Sequence, residues 1–320
     1  ELRRQIALRY MGNGVIASAD EIVITSGAME ALNLCLQAVT QPGDLIAIES
    51  PTFYAGLQAS ERLGLKVIEI PSHPREGVSL SALEDALLHH PVRACLFMLN
   101  FANPTGSRVS DENKRRLLDL LRRHDVPLIE DDVYAELYFG QQAPLCSKAE
   151  DSTGLVMHVA SFSKSLAPGY RIGWVAAGRH ARSIQRQKLS LSLATTIPVQ
   201  MAVADYLKQG GYENHLRHLR HTLATQEAAL VQVIERHFPS GTKLARPQGG
   251  YFLWLELPAQ VDTLLLHQLA LKKGISIAPG PIFSAKREFR HHLRLNFGHP
   301  DSQRLETAMA ILGELISQQL

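Results

Sequence analysis

Between residues 21 and 177 seven short β-rich runs alternate with helical patterns or turns, at 21–25, 45–49, 65–70, 94–99, 126–130, 155–160 and 172–177. This alternation predicts an α/β fold whose mostly parallel, seven-stranded sheet is covered by helices. The run at 94–99, ACLFML, has no polar interruption, as a central parallel strand buried on both faces requires. Five residues able to carry chemistry or turn the chain, Gly27, Phe53, Asn103, Asp131 and Ser161, fall at carboxyl ends of these runs. Open α/β sheets bind ligands along that edge.

Beyond residue 177 the pattern changes. Gly210-Gly211 breaks the chain, and 214–237 reads as one long helix with many His and Arg on a solvated face. Gly249-Gly250 precedes a strand, 261–273 is helical, 275–278 is a short strand, 293–297 is an alternating strand, and a helix closes the chain from Asp301. The expected division is a large domain over 1–212 and a smaller C-terminal α+β domain over 213–320. In the first part, Ser81 with Glu84 predicts a capped helix start. Ser110 caps a helix whose basic side chains, Lys114 among them, are expected to face water.

Composition narrows the class. The chain has 320 residues, 45% hydrophobic and 20% charged, with a net charge of +2, so nothing in it favours binding nucleic acid or a membrane directly. Cys35, Cys95 and Cys146 are unclustered and read as buried thiols of a reducing compartment, which makes the cytoplasm the expected location. The chain opens at Glu1, without Met and already inside a helical pattern of Leu2, Ile6, Ala7 and Tyr10. That leads to the expectation that further sequence precedes it.

The chemistry centres on SFSKSLAPGYRIGW, residues 161–174. Lys164 falls in a tight loop between two strands expected to be buried, a place that would remove it from water and favour the neutral amine. A neutral lysine amine forms a Schiff base with an aldehyde. Ser161 and Ser163 supply hydroxyls and Arg171 a guanidinium fork, the donors a phosphate needs. An aldehyde-binding lysine beside phosphate donors suggests pyridoxal 5′-phosphate (PLP).

The rest of the chain can be read against that cofactor. Gly27, Ala28 and Met29 form a strand-to-helix turn whose free N–H groups suit a phosphate. Phe53 and Tyr54 offer rings for a pyridine face, or else a core Phe beside a surface Tyr. Asn103, in N-P-T-G after the buried strand, can donate to a phenolate oxygen, and a cis bond to Pro104 is possible. Glu130, Asp131 and Asp132 are three consecutive acids, one of which would pair with a pyridine nitrogen. No His or Cys lies near them in sequence at metal-ligand spacing, so a metal is the poorer reading. Arg294 stands alone in an alternating strand, as a surface charge or as a clamp on a substrate carboxylate.

Ser-x-Ser-Lys-x-x-x-Pro-Gly-x-Arg-x-Gly resembles the PLP-lysine motif of fold-type I aminotransferases, and the likeness runs through almost the whole chain. In finer detail it is similar to the C-terminal, aminotransferase-like domain of MocR-type regulators of the GntR superfamily. The resemblance implies Lys164 as the catalytic, cofactor-holding lysine. The D-x-x-Y pattern assigns Asp131 to the ring nitrogen and Tyr134, with Asn103, to the O3′ oxygen, leaving Asp132 structural. Phe53 becomes the stacking ring with Tyr54 in reserve. Phosphate contact falls to Gly27, Ala28, Met29, Ser161, Ser163 and Arg171, the first three through backbone because Ala28 and Met29 carry no polar side chain. Asn103 and Arg294 contact substrate. Implied partners are an amino acid and its 2-oxo acid, a second copy of the chain, and DNA only through a domain absent from this chain. The competing functions are a working aminotransferase, stand-alone or not, an effector-sensing regulator domain, and another PLP reaction such as decarboxylation.

Overall fold

The computed structural model describes residues 1–299 and 301–320. In chain order its elements begin with α1 (Leu2–Gly12), β1 (Ile22–Thr25), α2 (Ala28–Val39), β2 (Leu45–Ser50), α3 (Tyr54–Arg62), β3 (Lys66–His73) and β4 (Gly77–Val78). There follow α4 (Leu80–His89), β5 (Val92–Phe97), α5 (Asp111–His124), β6 (Leu128–Asp131), β7 (Val156–Ser161), β8 (Gly173–Ala176), α6 (Ala181–Ser192) and α7 (Ile197–Lys208). The C-terminal part holds α8 (Gly211–His237), β9 (Lys243–Leu244), β10 (Phe252–Glu256), α9 (Thr263–Leu271), β11 (Ala278–Pro279), β12 (His292–Asn296) and α10 (Ser302–Ser317).

The large sheet runs β1-β8-β7-β6-β5-β2-β3-β4. The four central pairings, from β7 through β6, β5 and β2 to β3, are parallel, while β1/β8, β7/β8 and β3/β4 are antiparallel. The seven expected runs are all strands here, and the eighth strand is the two-residue β4, too short to carry a hydrophobic pattern. Because β5, β6 and β7 are covered on both faces, they are largely apolar, with Arg93 at the start of β5 and the polar residues Glu130, Asp131, His158 and Ser161 toward the site ends of β6 and β7. One face packs on α2, through Ala31, Leu34 and Cys35 against Ile46, Ile129 and Val175. The other packs on α4 and α5, and at the β1 end on α1, α7 and the start of α8.

Local chemistry sets the helix ends. Ser110 caps α5 through Asn113 N–H, acids fill its first turn and bases its last, and Asp125 in the left-handed region stops it. In α4 the cap is Ser79, two residues before the expected Ser81, because the backbone turns at Ser79 and its hydroxyl reaches Ala82 N–H. Lys114 also departs from expectation. It is 1% exposed, since its stem lies on the core side of α5 and its ammonium reaches Asn100 Oδ1 at 2.7 Å and the Leu145 carbonyl.

The second sheet, β11-β12-β10-β9, is antiparallel and is covered by α8, α9 and α10. The strand expected at 275–278 is confined to Ala278–Pro279, where Pro279 can donate nothing to a longer ladder. On α8 the polar face is mixed: Arg217, His218 and His221 are exposed, whereas His215 and Arg220 are half-buried and tied to the large sheet's side. The core around the small sheet takes in Met98, Phe101, Ala102, Tyr134 and Leu137 from the strand ends of the large one. The two sheets therefore meet at the carboxyl edge of β5 and β6, where the candidate residues lie. Among the described residues no helix is long and apolar enough to cross a membrane.

Candidate active site

The site is assembled from the phosphate end inward. Gly27 adopts φ +86° and ψ 171°, a conformation closed to residues with a side chain. A Cβ there would lie 2.3 Å from Arg171 Nη2, so the absence of a side chain lets the guanidinium lie across the turn. Gly173 does the same from β8, since its Cβ would meet Gly27 C at 2.5 Å and Ala28 N at 2.7 Å. Arg171 donates to Ser163 Oγ and to the Ser26 carbonyl, both at 3.3 Å. Ser161 Oγ receives Ser163 N–H at 3.0 Å and donates onward to the loop, to Ser163 Oγ or to Ile172 O, each at 3.0 Å. Ala28 and Met29 open α2, whose N-terminus has no side-chain cap on Gly27; Glu30 folds back onto Ser26 N–H. The result is a cradle of backbone N–H, two hydroxyls and one guanidinium, open to an anion.

At the end of β6 the three acids part company. Glu130 accepts Ser147 N–H at 3.0 and 2.9 Å through its two oxygens. Asp132 accepts from Asn100 at 3.0 Å and pairs with His158 at 2.9 Å. Asp131 alone keeps a buried oxygen, Oδ1, with no partner. Burial raises its pKa to about 7, with Asp132 adding to the rise and Val133 N–H, His158 and Lys164 opposing it. An orphaned carboxylate oxygen in a cleft is what a protonated ring nitrogen would satisfy. Tyr134, 4% exposed, sits one turn on, its pKa pushed up by burial, then by Tyr251 and Asp131.

Asn103, 1% exposed, follows β5 in a turn with a cis bond to Pro104. Its Oδ1 accepts Arg294 Nη1 at 2.8 Å, which leaves its amide N–H groups to donate elsewhere. Arg294 is half-buried on β12 rather than on the surface, with its guanidinium 5.3 Å from the Phe252 ring and 5.4 Å from the Phe283 ring. Its Nε is buried without a partner. The Phe53 and Tyr54 rings meet at a tilt with centroids 4.8 Å apart, and Tyr54 reaches Phe283, which lies against Arg294, at 5.9 Å.

Lys164 differs from its expectation. It is exposed, because the loop after β7 opens onto the cleft instead of being roofed by the neighbouring strands. Its ammonium stands 5.7 Å from the Tyr251 ring. Tyr251 is a residue the sequence reading passed over. It follows Gly249-Gly250, where Gly250 has φ +78° and donates to the Leu137 carbonyl, and this turn brings it from the small sheet to 5.5 Å from Tyr134. A Tyr after two glycines was the available signal. Ser165, beside Lys164, is gripped by Tyr212 at 2.6 Å and His215 at 2.9 Å from the first turns of α8.

Residues 1–312 match the model of aminotransferase class I and II. The chain belongs to that family. It is 49% identical over 320 residues, all of this chain and 68% of the relative, to the uncharacterized HTH-type transcriptional regulator YdcR of Escherichia coli (strain K12). It is 32% identical over 306 residues, 94% of this chain and 73% of the relative, to aromatic-amino-acid aminotransferase 1 of Thermococcus litoralis. Among solved structures, the kynurenine aminotransferase of Pyrococcus horikoshii, in complex with PMP, superposes over 100% of this chain and 80% of its own, with a TM-score of 0.93 at 32% identity. The resemblance to fold-type I aminotransferases and to MocR-type regulators is thereby borne out. PLP is the cofactor of the family, and the residues present fit it: the Gly27–Arg171 cradle for its phosphate and the orphaned Asp131 oxygen for its ring nitrogen.

Proposed function

We infer that this chain is the PLP-binding, aminotransferase-like part of a MocR/GntR-type regulator, a cytoplasmic homodimer that captures amino acids through Lys164 and either transfers or senses their amino group. The observation that carries the reading is the buried, partnerless Asp131 oxygen on the same strand-end edge as Lys164 and the Arg171 cradle. When bound, PLP supplies an aldehyde for the lysine and a ring that stabilises negative charge at the substrate α-carbon. Arg171, Ser161 and Ser163 hold the phosphate with the Gly27–Met29 backbone. Asp131 would keep the ring nitrogen protonated, Asn103 and Tyr134 would serve as donors to O3′, and Phe53 would supply the stacking ring. Arg294 binds the α-carboxylate, and Lys164 Nζ, once free, takes the α-proton.

The dimer has its own support. Leu189, Leu191, Leu193, Ile197 and Met201, each more than 60% exposed, cluster at the end of α6 and the start of α7. A patch of this kind marks an interface, and a second copy is the occupant proposed.

The test is reconstitution with PLP and a panel of L-amino acids, measuring 2-oxo acid released with and without a 2-oxo acid acceptor. Stoichiometric release without turnover supports a sensing domain, and sustained turnover supports an aminotransferase, including the stand-alone kind. No spectral response to any amino acid would remove the substrate assignment.

A further inference from the structure

Beneath the site runs a buried polar chain that the proposed chemistry does not use. Trp174 Nε1 donates to Tyr10 OH at 2.9 Å. That hydroxyl lies 2.6 Å from His158 Nδ1, and His158 Nε2 lies 2.9 Å from Asp132 Oδ2. Asp132 Oδ1 receives Asn100, which is itself held by Lys114. Tyr10, Asn100, Lys114, Asp132, His158 and Trp174 are all under 10% exposed. The chain links α1 to the carboxylate next to Asp131.

The charges around His158 come from every side. Glu130, Asp131 and Asp132 end β6, Cys146 and the Lys148–Glu21 pair flank the next turn, Tyr10 comes from α1, and Lys114 stands behind Asn100. Three adjacent carboxyls in low dielectric cannot all ionise without a compensating cation. Lys114 bonds to Asn100 and the Leu145 carbonyl, lies 3.7 Å from Asp111 and acts on Glu130 only through space, Lys164 acts on Asp131 in the same way, and Lys148 is paired with Glu21. His158 is the group that touches the acid cluster directly.

Resting on the PLP reading of the site, we propose that His158 is a positioning residue: held as a cation between Asp132 and Tyr10, it balances the carboxylates at the end of β6 and leaves Asp131 ionised toward the cofactor ring. Burial by itself pushes His158 down, the hydrogen bond to Asp132 pushes it up, and the net direction is well above the ordinary imidazole value. The same imidazole lowers both Asp131 and Glu130. Glu130, Cys146 and His158 also bring ligand atoms within 4.8 Å of one another. Both His158 nitrogens and both Glu130 oxygens are already engaged, which argues for a charge cluster rather than a metal site.

Two measurements need no cofactor. Assigned NMR of the wild-type apo protein should show His158 protonated through neutral pH; a neutral imidazole at pH 7 would overturn the proposal. Thermal unfolding of apo His158→Gln should show a deficit that is full below about pH 6.5 and shrinks as pH rises through the elevated native value. A third measurement titrates the visible band of the PLP-loaded protein. His158→Gln should move its midpoint upward by on the order of half a unit, and Asp132→Asn should move it downward. Tyr10→Phe, which keeps the charge, should leave it in place. A pH-independent deficit with an unmoved midpoint would reduce His158 to packing, and a Zn²⁺-induced stabilisation lost in His158→Gln would place a metal there instead; either result sinks the proposal. Failure of PLP to bind at all would strike the cofactor reading while leaving the two apo measurements standing.

Discussion

Gly27→Ala tests the phosphate cradle from its tightest point. The residue sits at φ +86°, ψ 171°, where a side chain costs about 1–3 kcal/mol. Its new methyl would also lie 2.3 Å from Arg171 Nη2. Arg171 is the exposed end of a flexible side chain and can swing away, so the clash itself adds little to the stability loss. Swinging away, however, removes the guanidinium from the phosphate position. A charge-assisted hydrogen bond of about 1.5–3 kcal/mol corresponds to roughly 10- to 100-fold in affinity. The variant should therefore lose about 1–3 kcal/mol in denaturant unfolding of the apo protein and bind PLP roughly 10- to 100-fold more weakly by equilibrium dialysis. Arg171→Ala should reproduce the binding loss, with its stability close to wild type. Gly27→Ala that binds PLP as tightly as wild type would refute the cradle.

Three further outcomes are expected. Asp131 has a native pKa raised to about 7 by burial, so its contribution to stability is full below about pH 3.8 and is lost as pH rises toward 7. Apo Asp131→Asn should then be more stable than wild type at pH 8, by a few kcal/mol, and equal to it near pH 3.5 in unfolding assays, while binding PLP less well. Arg294→Ala should raise the half-saturating concentration of amino acids tenfold or more in the spectral titration and leave simple amines without a carboxylate unaffected. On the proposed pairing of two copies through these residues, wild type should sediment as a dimer and Met201→Glu or Leu191→Glu as a monomer at the same concentration, because each puts a charge among the exposed apolar side chains.

Much of the fold was legible because burial on both faces writes itself into the sequence. The run 94–99 is apolar without interruption and supplies most of β5, and the seven runs over 21–177 became strands. What was not legible came from contacts between distant residues. Lys114 reads as one of many bases on α5, yet the Asn100 side chain and the Leu145 carbonyl hold it inside. Lys164 reads as buried by its flanking strands, yet its loop opens onto the cleft. Tyr251 and His158 carry no local motif. Tyr251 reaches the site only because the small sheet packs on the ends of the large one, and His158 meets Asp132 only through the β6/β7 pairing. His158 approaches Glu130 through the same pairing and Cys146 through the turn whose Ser147 N–H bonds to Glu130, where sequence spacing showed no such cluster.

The most direct test of the central claim is to load the protein with PLP, reduce it with borohydride and map the added mass by peptide mass spectrometry. The account predicts the cofactor fixed on Lys164, with Lys164→Ala losing both the modified peptide and the visible band. Cofactor mapped to another lysine, or an unchanged band in Lys164→Ala, would contradict it.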